Sequence, residues 1–130
     1  MDQIQYVVEF AIKPGRLDEF KRVAHEVIDR VHDEEPGTRS YQWYLSANAT
    51  RCHLHQWYAD SAAFVAHAAG DALADLLPKL LEVSTMSEIT FFGDPSPEAA
   101  RVLARLARVT TVTKNEWLAG FTREPAAVTR

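Results

Sequence analysis

A chain of 130 residues is the length of one domain and can bury roughly two thirds of the surface its unfolded form exposes, enough for a real core. With 47% hydrophobic and 25% charged residues, the composition is that of an ordinary globular protein and argues against disorder, a collagen-like repeat or a disulfide scaffold. Fourteen Lys plus Arg against 18 Asp plus Glu leave a net charge of −4, and no basic run could neutralise a row of phosphates, so nucleic acid is not an expected partner.

The single cysteine, Cys52, cannot close an intrachain disulfide, and the first residues lack the basic start and apolar run of a secretory signal. The expected location is therefore cytoplasmic. No apolar stretch approaches the roughly 18 to 20 residues needed to span a bilayer, so no membrane partner is expected.

From Gln3 to Ile12, Ile4, Tyr6, Val8, Phe10 and Ile12 fall on one face and Gln3, Gln5 and Glu9 on the other, the alternation of a half-buried strand. Lys13-Pro14-Gly15 breaks it. Leu17, Phe20, Val23, Ala24, Val27, Ile28 and Val31 then recur at spacings of three and four, which predicts an amphipathic helix over 16–31. The acidic run Asp33 to Glu35 reads as solvated, and Pro36-Gly37 stops the helix.

Strands are expected over 38–46 and 50–58, joined by Ala47-Asn48-Ala49. In the first, Tyr41, Trp43 and Leu45 share a face; in the second His53, His55 and Trp57 share one face and Leu54, Gln56 and Tyr58 the other. Asp60 or Ser61 caps a helix carrying Phe64, Val65 and His67, for which Gly70 is the expected left-handed stop. Asp71 should cap a second short helix, halted near Pro78. A fourth strand is read from Leu81 to Phe92. Ser96-Pro97-Glu98 then starts a helix whose apolar stripe is Ala99, Val102, Leu103, Leu106 and Ala107. Residues 109–112 and 117–122 read as short extended segments and 124–130 as a frayed tail.

Up to residue 93 the order is β-α-β-β-α-β with a split second helix. The expected fold class is therefore α+β, a ferredoxin-like antiparallel sheet with helices on one face, with residues 94–130 forming a C-terminal extension packed on that domain or on a partner. Both faces of the strands carry large apolar or aromatic residues, which predicts burial of the open face by a second copy, a homodimer.

Several short motifs stand in a specific order: Lys13-Pro14-Gly15 with Asp18-Glu19-Phe20, Glu35-Pro36-Gly37 with Ser40-Tyr41, and Gln56-Trp57-Tyr58-Ala59-Asp60 with Ala63 and His67. Together they resemble the antibiotic biosynthesis monooxygenase domain over about residues 3–93. The resemblance implies a dimeric α+β barrel with a pocket between sheet and helices in each subunit. It implies, too, oxidation of a small aromatic or quinol substrate by molecular oxygen with no cofactor. Haem-degrading relatives carry an asparagine on the first strand; Ile4-Gln5-Tyr6-Val7 has none.

By that resemblance Trp57 and His67 are the candidate catalytic residues, Trp57 to hold and orient a substrate plane and His67 to take a phenolic proton. His53, His55, Tyr6, Tyr41, Trp43 and Phe64 are the candidate substrate-binding residues, with Tyr44 and Phe92 as further aromatic walls. His53 and His55 have no third ligand at metal spacing, so no metal is expected. Cys52 reads as a small buried apolar group, and the lack of a Gly-rich phosphate loop argues against bound nucleotide or flavin. Two other functions use the same residues: a non-catalytic, ligand-binding or stress-related dimer, and an isomerase or lactone-processing enzyme.

Overall fold

The alternation in the first strand sets the architecture. In the computed structural model, which describes residues 3–123, Ile4, Tyr6, Val8, Phe10 and Ile12 all lie buried on one face of β1 (Ile4–Ile12). The chain continues through α1 (Leu17–Glu34), β2 (Thr38–Leu45), β3 (Arg51–Tyr58), α2 (Ser61–Ala68), α3 (Asp71–Val83), β4 (Ser84–Phe92), α4 (Pro97–Leu106) and β5 (Thr111–Asn115). Among the described residues the strands form one sheet in the order β2-β3-β1-β4-β5. The first four strands pair antiparallel, and β5 adds parallel to β4. This is the ferredoxin-like α+β fold with one strand appended.

One apolar core joins the inner face of the sheet to all four helices. Phe20, Val23, Val27 and Val31 come from α1, Phe64 from α2, Leu76, Leu80 and Val83 from α3, and Ala99, Val102 and Leu103 from α4. Arg30 ties α1 to α3, its guanidinium donating to Asp75 at 3.0 Å. The start of α4 follows the sequence reading: Ser96 accepts from the Ala99 N–H at 3.1 Å and Pro97 occupies the first turn. The β4-α4-β5 stretch is a crossover unit, the form a parallel pair requires.

Several boundaries differ from the sequence reading, among them the end of α1, which runs on to Glu34. Pro78 lies inside α3 and does not end it: the proline forfeits one N–H, but its exposed side faces water while Ala72, Leu76, Leu80 and Val83 hold the helix to the core. The helix thereby absorbs Leu81 to Val83, and β4 begins at Ser84. Gly70 has φ −78° and caps α3 without a side chain, so it is no left-handed stop, and Asp71 is the first helical residue. In agreement with the reading of Asp60 or Ser61, Asp60 is the cap of α2, accepting from Ala63 N–H at 2.9 Å. The extended segment read at 109–112 is β5, shifted to 111–115, where pairing with β4 fixes it. No regular element follows Asn115 among the described residues, and the tail read at 124–130 lies outside them.

Candidate functional site

The site is built on a row of side chains that strand register brings together. Tyr41 of β2 pairs with Gln56 of β3, Gln56 with Tyr6 of β1, and Tyr6 with Phe91 of β4, so four residues cross the sheet on its helix-covered face. The next row is Trp43, Leu54, Val8 and Ile89. Above them α2 places Phe64 and His67 one turn apart. The Asp60 cap fixes where that helix starts. Gly37 fixes how closely it approaches β2, since a Cβ there would sit 2.8 Å from Ala63 Cβ.

Between these rows and the helices lies a cavity of about 370 Å³. Its walls are mainly apolar: Val8, Phe10, Trp43, Phe64, Leu77 and Met86 contribute, and the polar side chains are those of Tyr6, Tyr41, Gln56, His67 and Arg105. A concave, largely apolar space with a few converging polar groups is the usual form of a small-molecule site.

His67 is 3% exposed, and its Nδ1 lies 2.5 Å from Glu35 Oε1. The Thr38 hydroxyl donates to the same oxygen at 3.3 Å. Oε2 of Glu35 is buried with no partner among the described residues; Gly70 leaves it room, since a Cβ there would stand 3.3 Å away. A carboxylate on Nδ1 orients the ring and engages that nitrogen, so Nε2 is the nitrogen left to exchange a proton, the arrangement found where a histidine serves as a general base. The ring is held between phenols: its centroid lies 5.5 Å from that of Tyr41 and 5.5 Å from that of Tyr58.

Burial first, and then the Glu35 charge and Tyr6, push the Tyr41 hydroxyl far above its ordinary pKa. Burial does the same to Tyr6. Tyr58 shifts the same way for the same leading reason, and its hydroxyl donates to Gln56 Oε1. These phenols therefore stay protonated and cannot serve as bases, which leaves the imidazole of His67 as the candidate to take a proton.

Of the residues expected at the site, Tyr6, Tyr41, Trp43, Phe64 and His67 line this cavity. Trp57, His55 and His53 do not. They occupy the opposite face of β3, because Tyr41 pairs with Gln56 and not with His55, and neighbours across strands share a face. There His53 lies 3.8 Å from Glu9, His55 packs edge-on to Tyr44 with centroids 5.4 Å apart, and Arg39 stands 5.9 Å over Trp57. Phe92 points to this open face and is exposed. Cys52 is buried, and burial pushes its thiol up to about 11.

The sequence reading missed Glu35 and Gln56. Glu35 belongs to an acidic run that reads as solvated, and Asp33 and Glu34 are indeed exposed, but the Glu35 side chain is only 10% exposed. The signal was its phase: Val27, Val31 and Glu35 follow one another at steps of four, which continues the buried face of α1.

The antibiotic biosynthesis monooxygenase family matches residues 4–78. No curated protein matches the sequence. The fold is similar to MupZ from Pseudomonas fluorescens, with a TM-score of 0.74 and 18% identity, over 99% of this chain and 100% of that one. It is similar also to SnoaB from Streptomyces nogalater, a cofactor-independent oxygenase, with a TM-score of 0.64 and 18% identity over 74% of this chain and 96% of that one. The first likeness runs through α4 and β5; the second stops short of covering the chain. Identities this low speak for fold alone, but the family match spans more than half of the sequence and takes in Glu35, Tyr41 and His67, so the chain belongs to the antibiotic biosynthesis monooxygenase family.

Proposed function

We propose that the protein is a cofactor-independent oxygenase that oxidises a small aromatic or quinol substrate with molecular oxygen. One observation carries the reading: a buried histidine held on Nδ1 by a carboxylate lines an apolar cavity walled by aromatic rings. In the proposed sequence, Nε2 of His67 takes the phenolic proton and the substrate anion passes one electron to oxygen. The resulting pair combines to form a carbon–oxygen bond, and the peroxide anion so formed takes the proton back from His67. Loss of water then leaves a quinone, so one oxygen atom enters the product and the other departs as water. Trp43 and Phe64 hold the ring plane, and Tyr41, kept protonated, donates to the developing oxygen anion. Exclusion of water by the apolar walls keeps the substrate anion reactive.

The second part of the proposal is a cytoplasmic homodimer. The open face of the sheet supports it, because Val7, Trp57 and Phe92 lie there with no helix above them.

The test is oxygen uptake by the purified protein with a panel of anthrols, naphthols and quinols, alongside His67→Ala and Glu35→Ala. We expect turnover that falls by about a hundredfold or more in His67→Ala and by a smaller factor in Glu35→Ala, the general-base contribution and its support. Turnover unchanged in His67→Ala would remove the histidine from the mechanism. Binding without turnover of any of them would favour a ligand-binding dimer.

A further inference from the structure

The C-terminal helix contributes something to the cavity that the family-matched segment does not. Residues 4–78 supply the base and the aromatic walls, whereas Val102, Arg105 and Leu106 of α4 close one side. Arg105 is the one permanently charged side chain in the lining, and no Asp or Glu lines the cavity among the described residues. Among the described residues the guanidinium forms no ion pair, although acidic residues outnumber basic ones in the chain.

Helix phase explains its place. Ala99, Val102, Leu103 and Leu106 make the apolar stripe of α4, while Arg101 and Arg105 stand one turn apart beside it, Arg108 follows just past the helix, and Arg105 is the one of the three that lines the cavity. None of these arginines meets a carboxylate among the described residues. An unpaired arginine at the rim of an apolar cavity presents a planar fork of donors to an incoming anion, and an apolar body in the cavity would lie beside it.

We propose that the cavity takes a ligand with an apolar, aromatic body and an acidic end, a carboxylate or phosphate, which Arg105 binds at the rim. The inference rests on the oxygenase reading only in using the same cavity, and it names the class of molecule that cavity selects.

The experiment is calorimetric titration of the full chain with 2-naphthylacetate, 2-naphthyl phosphate and the neutral 2-naphthaleneethanol at low ionic strength. At least one acid should bind about fivefold more tightly than the alcohol, the size expected of a solvent-exposed charge contact, and the advantage should shrink with added salt. The ratio between the two acids tells carboxylate from phosphate. Arg105→Gln should abolish the preference, Arg105→Lys should retain part of it, and Arg105→Glu should reverse it. Equal binding of all three probes by the native protein would overturn the inference while leaving the aromatic cavity in place, as would an acid preference that survives Arg105→Gln. If no probe binds, the inference and the aromatic-substrate reading fall together.

Discussion

Burying a carboxylate costs free energy unless donors meet it, and Glu35 recovers part of that cost through the His67 imidazole and the Thr38 hydroxyl. The same burial governs the other titrating groups of the core. Cys52, Tyr6, Tyr41 and Tyr58 all hold their protons more tightly in the folded chain, each chiefly because burial penalises the anion. Their unfolded values are about 8.5 for the thiol and about 10 for the phenols. As pH rises past those values the unfolded chain releases protons that the folded chain keeps, so stability fully present below about pH 8 is lost upward from there. We expect the thermal unfolding midpoint to fall steadily between about pH 9 and 11, and Cys52→Val to flatten the first part of the fall; a midpoint constant over that window would contradict the burial of these groups. Individual roles were only partly legible in the sequence. Alternation placed Tyr6 on the core side of β1, and the family resemblance pointed to His67. Glu35 was hidden because charge suggests solvent, and only its phase with Val27 and Val31 showed where it turns.

Strand pairing decided what the cavity contains. The aromatic density of β2 and β3 was plain in the sequence, and the two faces of β3 were correctly separated. Which face met the helices depended on register, and register depends on long-range pairing to β1 that no local pattern encodes. Gln56, a polar residue between Leu54 and Tyr58, turned inward where Trp57, larger and apolar, turned out. The approach of α2 rests on a smaller feature, the absence of a side chain at Gly37. Gly37→Ala should force Ala63 and the start of α2 outward, costing about 1 to 3 kcal/mol in urea unfolding as overpacking does, and lowering turnover by displacing His67. Unchanged stability in that variant would mean that the α2 end yields without strain. The length of α3 was misjudged because proline is a strong local stop, whereas a buried stripe from Ala72 to Val83 carried the helix through it.

The molecule presents two unlike sides. Its helical side encloses the cavity; its sheet side leaves Val7, Trp57 and Phe92 facing outward. Val7 lies at the centre of that face, between His55 on β3 and Thr90 on β4. If two copies meet there, Val7→Arg places two like charges in the middle of the contact, and sedimentation should shift from dimer to monomer with the fold retained by circular dichroism. A Val7→Arg protein that sediments as a dimer would move the interface elsewhere. Beyond Asn115, Leu118 is 92% exposed and Phe121 79% exposed, so apolar groups continue past the last strand.

Strand β5 has a consequence for colloidal behaviour. Without it, the nine residues of β4 would form a free edge that includes Ile89 and Phe91, an extended ladder of unpaired amides open to another chain. With it, the border of the sheet on that side is five residues long, almost wholly polar, and carries Lys114, whose charge repels a neighbouring strand. The short parallel strand thus covers the β4 edge, and the segment that supplies Arg105 to the cavity also leaves β5 and β2 as the two borders of the sheet.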